Sequence, residues 1–106
     1  MTITLRLLGE VSFRGEPIAG GRSADLLAAL ALYRSGLSDA RLIEEVWADQ
    51  AARTKALQVQ VSRVRAQCGQ DVVVRYDGGY RLGLADDAVD VWVLESLVDG
   101  ARKALT

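Results

Sequence analysis

The chain has 106 residues, half of them apolar by type, and carries 13 basic against 14 acidic side chains for a formal charge of −1. That length suits one compact domain with a modest core and leaves little room for a second. Histidine is absent and cysteine occurs once, so composition excludes an internal disulfide, a Cys/His metal site and any catalytic set built on imidazole.

Met1 leads straight into Thr2-Ile3-Thr4-Leu5, with no basic leader before a long apolar stretch and no small-residue cleavage site, so a secretory signal is not expected. No apolar run approaches the roughly 18 residues of a membrane span. A cytoplasmic location is the expectation. Thr2 to Leu8 alternates loosely, and Val11-Ser12-Phe13-Arg14 followed by a turn at Gly15-Glu16-Pro17 reads as short antiparallel strands. After Gly20-Gly21, Ser23 is expected to cap a first helix. Asp25 would lie in its first turn, Leu26, Leu27, Leu30 and Tyr33 would form its apolar stripe, and Gly36 would end it.

Ser38 is the expected cap of a second helix, in which Leu42, Ile43, Val46 and Trp47 form the stripe. In a third helix, Leu57, Val61, Val64 and Cys68 recur at steps of four, three and four, with Gly69 as the stop. Cys68 falls on this stripe as a small buried hydrophobe. Lys55, Gln58, Ser62 and Arg65, at steps of three, four and three, define a separate polar face. Val72-Val73-Val74 and Tyr80-Arg81-Leu82 flank Tyr76-Asp77-Gly78-Gly79, which has hairpin turn chemistry. Asp90 is the expected start of a last helix with Val91, Leu94, Val98, Ala101 and Leu105 on one side, a stripe that calls for a cover.

The charge is unevenly placed. Residues 50–82 hold six bases against two acids, net +4, whereas residues 1–49 are net −2 and residues 83–106 net −3. Positive charge therefore concentrates on the third helix and the hairpin. Arginine can donate two hydrogen bonds to guanine and glutamine can pair with adenine in the same bidentate way, so these side chains have major-groove readout chemistry. The competing readings are ordinary. Lys55, Gln58 and Arg65 could form a solvated face, Arg63 could pair with an acid, Arg75 and Arg81 could keep a hairpin edge soluble, and Trp47 is core before it is contact. No phosphate-cradling glycine loop and no carboxylate pair tied to a nucleophile is present, so an enzyme is not expected.

Several segments together resemble the OmpR/PhoB-type winged helix-turn-helix, and most closely its version in the Streptomyces antibiotic regulatory proteins. They are Leu5-Arg6-Leu7-Leu8-Gly9, Gly21-Arg22, Arg41-Leu42-Ile43-Glu44-Glu45-Val46-Trp47, Leu57-Gln58-Val59-Gln60-Val61-Ser62-Arg63-Val64-Arg65 and Gly79-Tyr80-Arg81-Leu82. The resemblance implies an α+β fold: an N-terminal antiparallel sheet, a three-helix core, a C-terminal hairpin wing and an extra C-terminal helix. Residues 1–85 would form the DNA-binding domain. Residues 86–106 would lead into a bacterial transcriptional activation domain, of which only the first helix would fit.

By position, the same resemblance makes the third helix a recognition helix. Lys55, Gln58, Ser62, Arg63 and Arg65 would lie toward DNA, Arg53 at the helix entry, Arg75 and Tyr80 in the wing, and Trp47 beside a phosphate. Asp49 and Gln50 would belong to a loop facing RNA polymerase. Double-stranded DNA bearing direct repeats, bound by a head-to-tail pair without a cofactor, is the implied partner of a bacterial activator. About four to six phosphate contacts would give a salt slope of roughly −4 to −5. The alternative is a protein-interaction winged helix with weak or no DNA binding, a reading that the net negative charge favours.

Overall fold

The computed structural model describes residues 3–48 and 54–105. In chain order the elements are β1 (Leu5–Arg6), β2 (Ser12–Phe13), β3 (Glu16–Pro17), α1 (Gly21–Leu32), β4 (Leu37–Ser38), α2 (Asp39–Trp47), α3 (Thr54–Cys68), β5 (Val73–Tyr76), β6 (Gly79–Leu82) and α4 (Asp90–Ala104). This is the expected α+β winged helix-turn-helix with an additional sheet and helix. The chain divides into two compact units, one of Ile18–Gly83 and one of Met1–Pro17 with Leu84–Thr106.

The larger unit holds the winged helix. Helices α1, α2 and α3 pack on one another, and Leu26, Leu27, Leu30, Leu42, Leu57, Val61 and Val64 are buried. The helical spacing of these leucines and valines puts them on the inward faces, so burying them is what orders three short helices that would be marginal alone. Ser38 caps α2 as expected, its Oγ accepting the Arg41 N–H at 3.3 Å, with Asp39 in the favourable first turn. Gly69, at φ +106, ends α3 by donating its N–H to the Arg65 carbonyl at 2.8 Å.

Three expectations for α1 need correction: Asp25 lies beyond the first turn, which holds no acidic residue. Gly20 occupies the N-cap position, and Ser23 lies inside the helix, buried, with its hydroxyl accepting a hydrogen bond from Gln60. The helix closes at Tyr33, ahead of Gly36, which turns the chain into β4. That strand has no signal of its own in the sequence. It pairs antiparallel with β6, which also pairs with β5, giving the order β4-β6-β5. A Cβ at Gly79 would collide with the Leu37 carbonyl, so only glycine lets these two strands approach. Asp77 and Gly78 form the wing tip between Tyr76 and Gly79, and Gly78 supplies the positive φ of +77.

The smaller unit is a sheet of order β1-β2-β3 and helix α4. Its tight turn lies at Arg14-Gly15, both at positive φ, whereas the sequence pointed to Gly15-Glu16-Pro17; Glu16 and Pro17 are strand. Two consecutive positive φ values match the twist of a two-residue hairpin. The Asp90 carboxylate holds this unit together by accepting the Leu7 N–H at 2.9 Å, the Leu8 N–H at 3.0 Å and the Val91 N–H at 2.8 Å. A single side chain thus satisfies both the orphan donor of a helix start and the end of β1. The Thr4 and Leu5 N–H groups add bonds to the Ala88 carbonyl, at 2.8 and 2.9 Å, so the first strands group with the last helix.

Candidate nucleic-acid interface

Helix α3 carries no acidic residue over its 15 positions. Its 3.6-residue period sends Leu57, Val61, Val64 and Cys68 inward and leaves Lys55, Gln58, Ser62 and Arg63 exposed, with Val59 between them. Among the described residues, Lys55 and Arg63 form no ion pair and no hydrogen bond within the chain. Three shallow depressions meet at Arg63. One runs along α3 past Lys55, Gln58 and Ser62, the second reaches Arg22 and Trp47, and the third opens at the start of α1 beside Gly20 and Gly21.

Arg65 is placed differently from the rest of its polar stripe. It is half-buried, and its Nε and Nη2 both donate to the Val73 carbonyl, at 3.2 and 2.8 Å. It therefore pins the hairpin beside α3. Tyr80 is buried, not surface-facing, with the Arg65 guanidinium 6.0 Å and the Arg75 guanidinium 4.7 Å from its ring centroid. Arg75 is exposed on β5 and its Nη1 donates to Asp39 Oδ1 at 2.6 Å. The hydrogen bond to Asp39, opposed by some desolvation, raises its already high pKa, so it stays charged at any working pH.

Trp47 is half-buried, with the Arg22 guanidinium 5.2 Å above its ring. Asp49, Gln50 and Arg53 lie outside the described residues. The structure thus brings Lys55, Gln58, Ser62 and Arg63 together on one outward face, puts Arg65 and Tyr80 under the wing, and holds Arg75 against α2.

Sequence reasoning missed the supports behind this face. Gln60 Nε2 donates to Ser23 Oγ at 2.7 Å inside the core, and Gln67 exchanges two hydrogen bonds with the Ala19 backbone, at 3.0 and 3.2 Å. The signal for Gln60 was its place one step before Val61, on the inward side of the helix. Arg22, carried by the Gly21-Arg22 segment, borders the same depression as Lys55 and Arg63. Among the described residues there is no cluster of three metal-ligating side chains, and no helix is long and apolar enough to cross a membrane.

No family model matches the sequence, and no curated protein matches it. Among solved structures the chain is similar to Mycobacterium tuberculosis EmbR in complex with a low-affinity phosphopeptide, with a TM-score of 0.69 at 21% identity. The likeness covers 85% of this chain and 27% of that one, so this chain spans about a quarter of its neighbour's length. At this identity the likeness shows the fold, and it agrees with the winged-helix architecture seen here.

Proposed function

We propose that the chain is the duplex-DNA-binding part of a bacterial transcriptional regulator, with α3 in the major groove and the hairpin against the neighbouring backbone. One observation carries the reading: α3 shows solvent an acid-free face on which Lys55 and Arg63 have no partner among the described residues while Gln58 and Ser62 stand between them. Cations without internal partners are available to phosphates, and glutamine, serine and arginine can read base edges. The fold supports this by presenting α3 and the wing on one unit.

No cofactor is called for by this chemistry. Titrating labelled duplex fragments with the wild type and Arg63→Ala tests the reading. Arg63→Ala should weaken specific binding by about 1 to 3 kcal/mol and relax the preference at one base position if Arg63 reads a base. An unchanged titration would remove Arg63 from the interface.

Head-to-tail pairing on direct repeats is the operator layout implied by the family resemblance, and footprinting on direct against inverted half-sites tests it. Contact with RNA polymerase through Asp49 and Gln50 belongs to the same reading. Asp49→Lys should abolish activation while leaving DNA binding intact, and activation that survives the change would dismiss this contact. The second reading is a protein-binding winged helix. It is favoured by the net charge of −1 and by the use of Arg65 and Arg75 within the fold. Absence of salt-sensitive binding to any duplex would select it.

A further inference from the structure

Helix α4 leaves most of its apolar stripe uncovered. Trp92 is its one buried side chain, whereas Leu94 is 48% exposed, Leu97 66%, Val98 42% and Leu105 87%. Leu94, Val98, Ala101 and Leu105 recur at steps of four, three and four, so they form a straight seam on one side of the helix. Trp92 lies well around the helix from that seam. A groove on this helix is lined by Leu94, Glu95, Val98, Asp99 and Arg102.

The charges beside the seam are ordered along it. Glu95 and Asp99 precede Arg102, and among the described residues none of the three makes an ion pair. A polarity of this kind is self-complementary when two copies of the helix run in opposite directions. Setting Leu94 opposite the second copy's Leu105, and Val98 opposite its Ala101, brings each Glu95 beside the Arg102 of the other copy. The same register sets Leu97 against Ala104. Two-fold symmetry makes every such contact twice, and the arrangement has the packing of an antiparallel helix pair.

We propose that this face of α4 is a self-association surface, on which two copies of the chain pair their α4 helices antiparallel through the Leu94–Leu105 seam and reciprocal Glu95–Arg102 ion pairs. The interface is short. Fifteen residues span about 22 Å, which places the contact at the small, weak end of protein interfaces. Dissociation in the micromolar range or above follows. The pairing needs no nucleic acid, so it stands or falls separately from DNA reading.

Sedimentation velocity on the whole chain without DNA, over roughly 5 to 500 μM, tests the proposal. The expected result is a monomer–dimer equilibrium in the micromolar range, of the weak class. Glu95→Arg alone and Arg102→Glu alone should each raise the dissociation constant by about tenfold, since each replaces two attractions with two repulsions. Combining Glu95→Arg with Arg102→Glu should restore association. Circular dichroism confirms that each variant folds, and Leu94→Glu supplies a second disruption on the seam itself. A monomer at every concentration would overturn the proposal and assign the face to a different occupant, another segment or another protein. Dimerisation that ignores the single reversals, or that the double swap fails to restore, would overturn it equally.

Discussion

The buried pair of Ser23 and Gln60 shows how the outward face of α3 is held from behind. Gln60 is an amide on the inward side of α3, and its Nε2 has Ser23 Oγ as its partner at 2.7 Å. Ser23→Ala removes that acceptor and leaves a buried donor without water, at a cost of about 1 to 3 kcal/mol. Thermal or urea unfolding should show that loss, and adding Gln60→Leu should recover much of it. A fully stable Ser23→Ala protein would mean that Gln60 finds another partner. The sequence placed Ser23 as a cap because serine before a leucine-rich run is a helix-start signal, but the Gly20 backbone starts the helix three residues earlier. Local chemistry could not reveal the glutamine 37 positions away that uses the hydroxyl.

Between elements, the hairpin is fastened at two points. Arg65 ties α3 to the Val73 carbonyl of β5, and Asp39 at the start of α2 holds Arg75, also on β5. In the proposed complex the second tie would compete with DNA, because a phosphate asks for the same guanidinium donors as the Asp39 carboxylate. Asp39→Asn should therefore remove the competitor for Arg75 and tighten duplex binding several-fold at low salt, while the salt slope, which already counts the Arg75 contact, stays the same. Anisotropy titrations at several salt concentrations would show it; identical curves for wild type and variant would mean that Arg75 does not reach the backbone.

At this scale much was legible. The extents of α2 and α3, the stop at Gly69 and the wing turn follow from periodicity, glycine and capping signals carried by adjacent residues. Strand β4 was not legible, since two residues carry no period and its existence depends on pairing with β6. The half-burial of Arg65 and the burial of Tyr80 were hidden for a related reason. A stripe on a helical wheel says which residues share a side, but not where a distant hairpin will lie across it.

For the molecule as a whole, charge placement matters more than charge total. The stretch from 50 to 82 is net +4 inside a chain of net −1, so acidic flanks lie at both ends of a basic centre. With Arg65 committed to Val73 and Arg75 shared with Asp39, fewer cations remain for phosphates than the residue types suggest. About three neutralised phosphates, from Lys55, Arg63 and a released Arg75, replace the four to six expected from sequence, and the predicted salt slope becomes about −3.

That slope is also the most direct test of the central claim, that the outward face of α3 meets the DNA backbone. The measurement is fluorescence anisotropy with a mixed-sequence duplex over a range of salt concentrations, comparing the wild type with a Lys55→Ala, Arg63→Ala double variant whose fold is verified by circular dichroism. A wild-type slope near −3, made shallower by about two in the variant, is the predicted result. Equal slopes for the two proteins, or a wild-type slope near zero, would contradict the account.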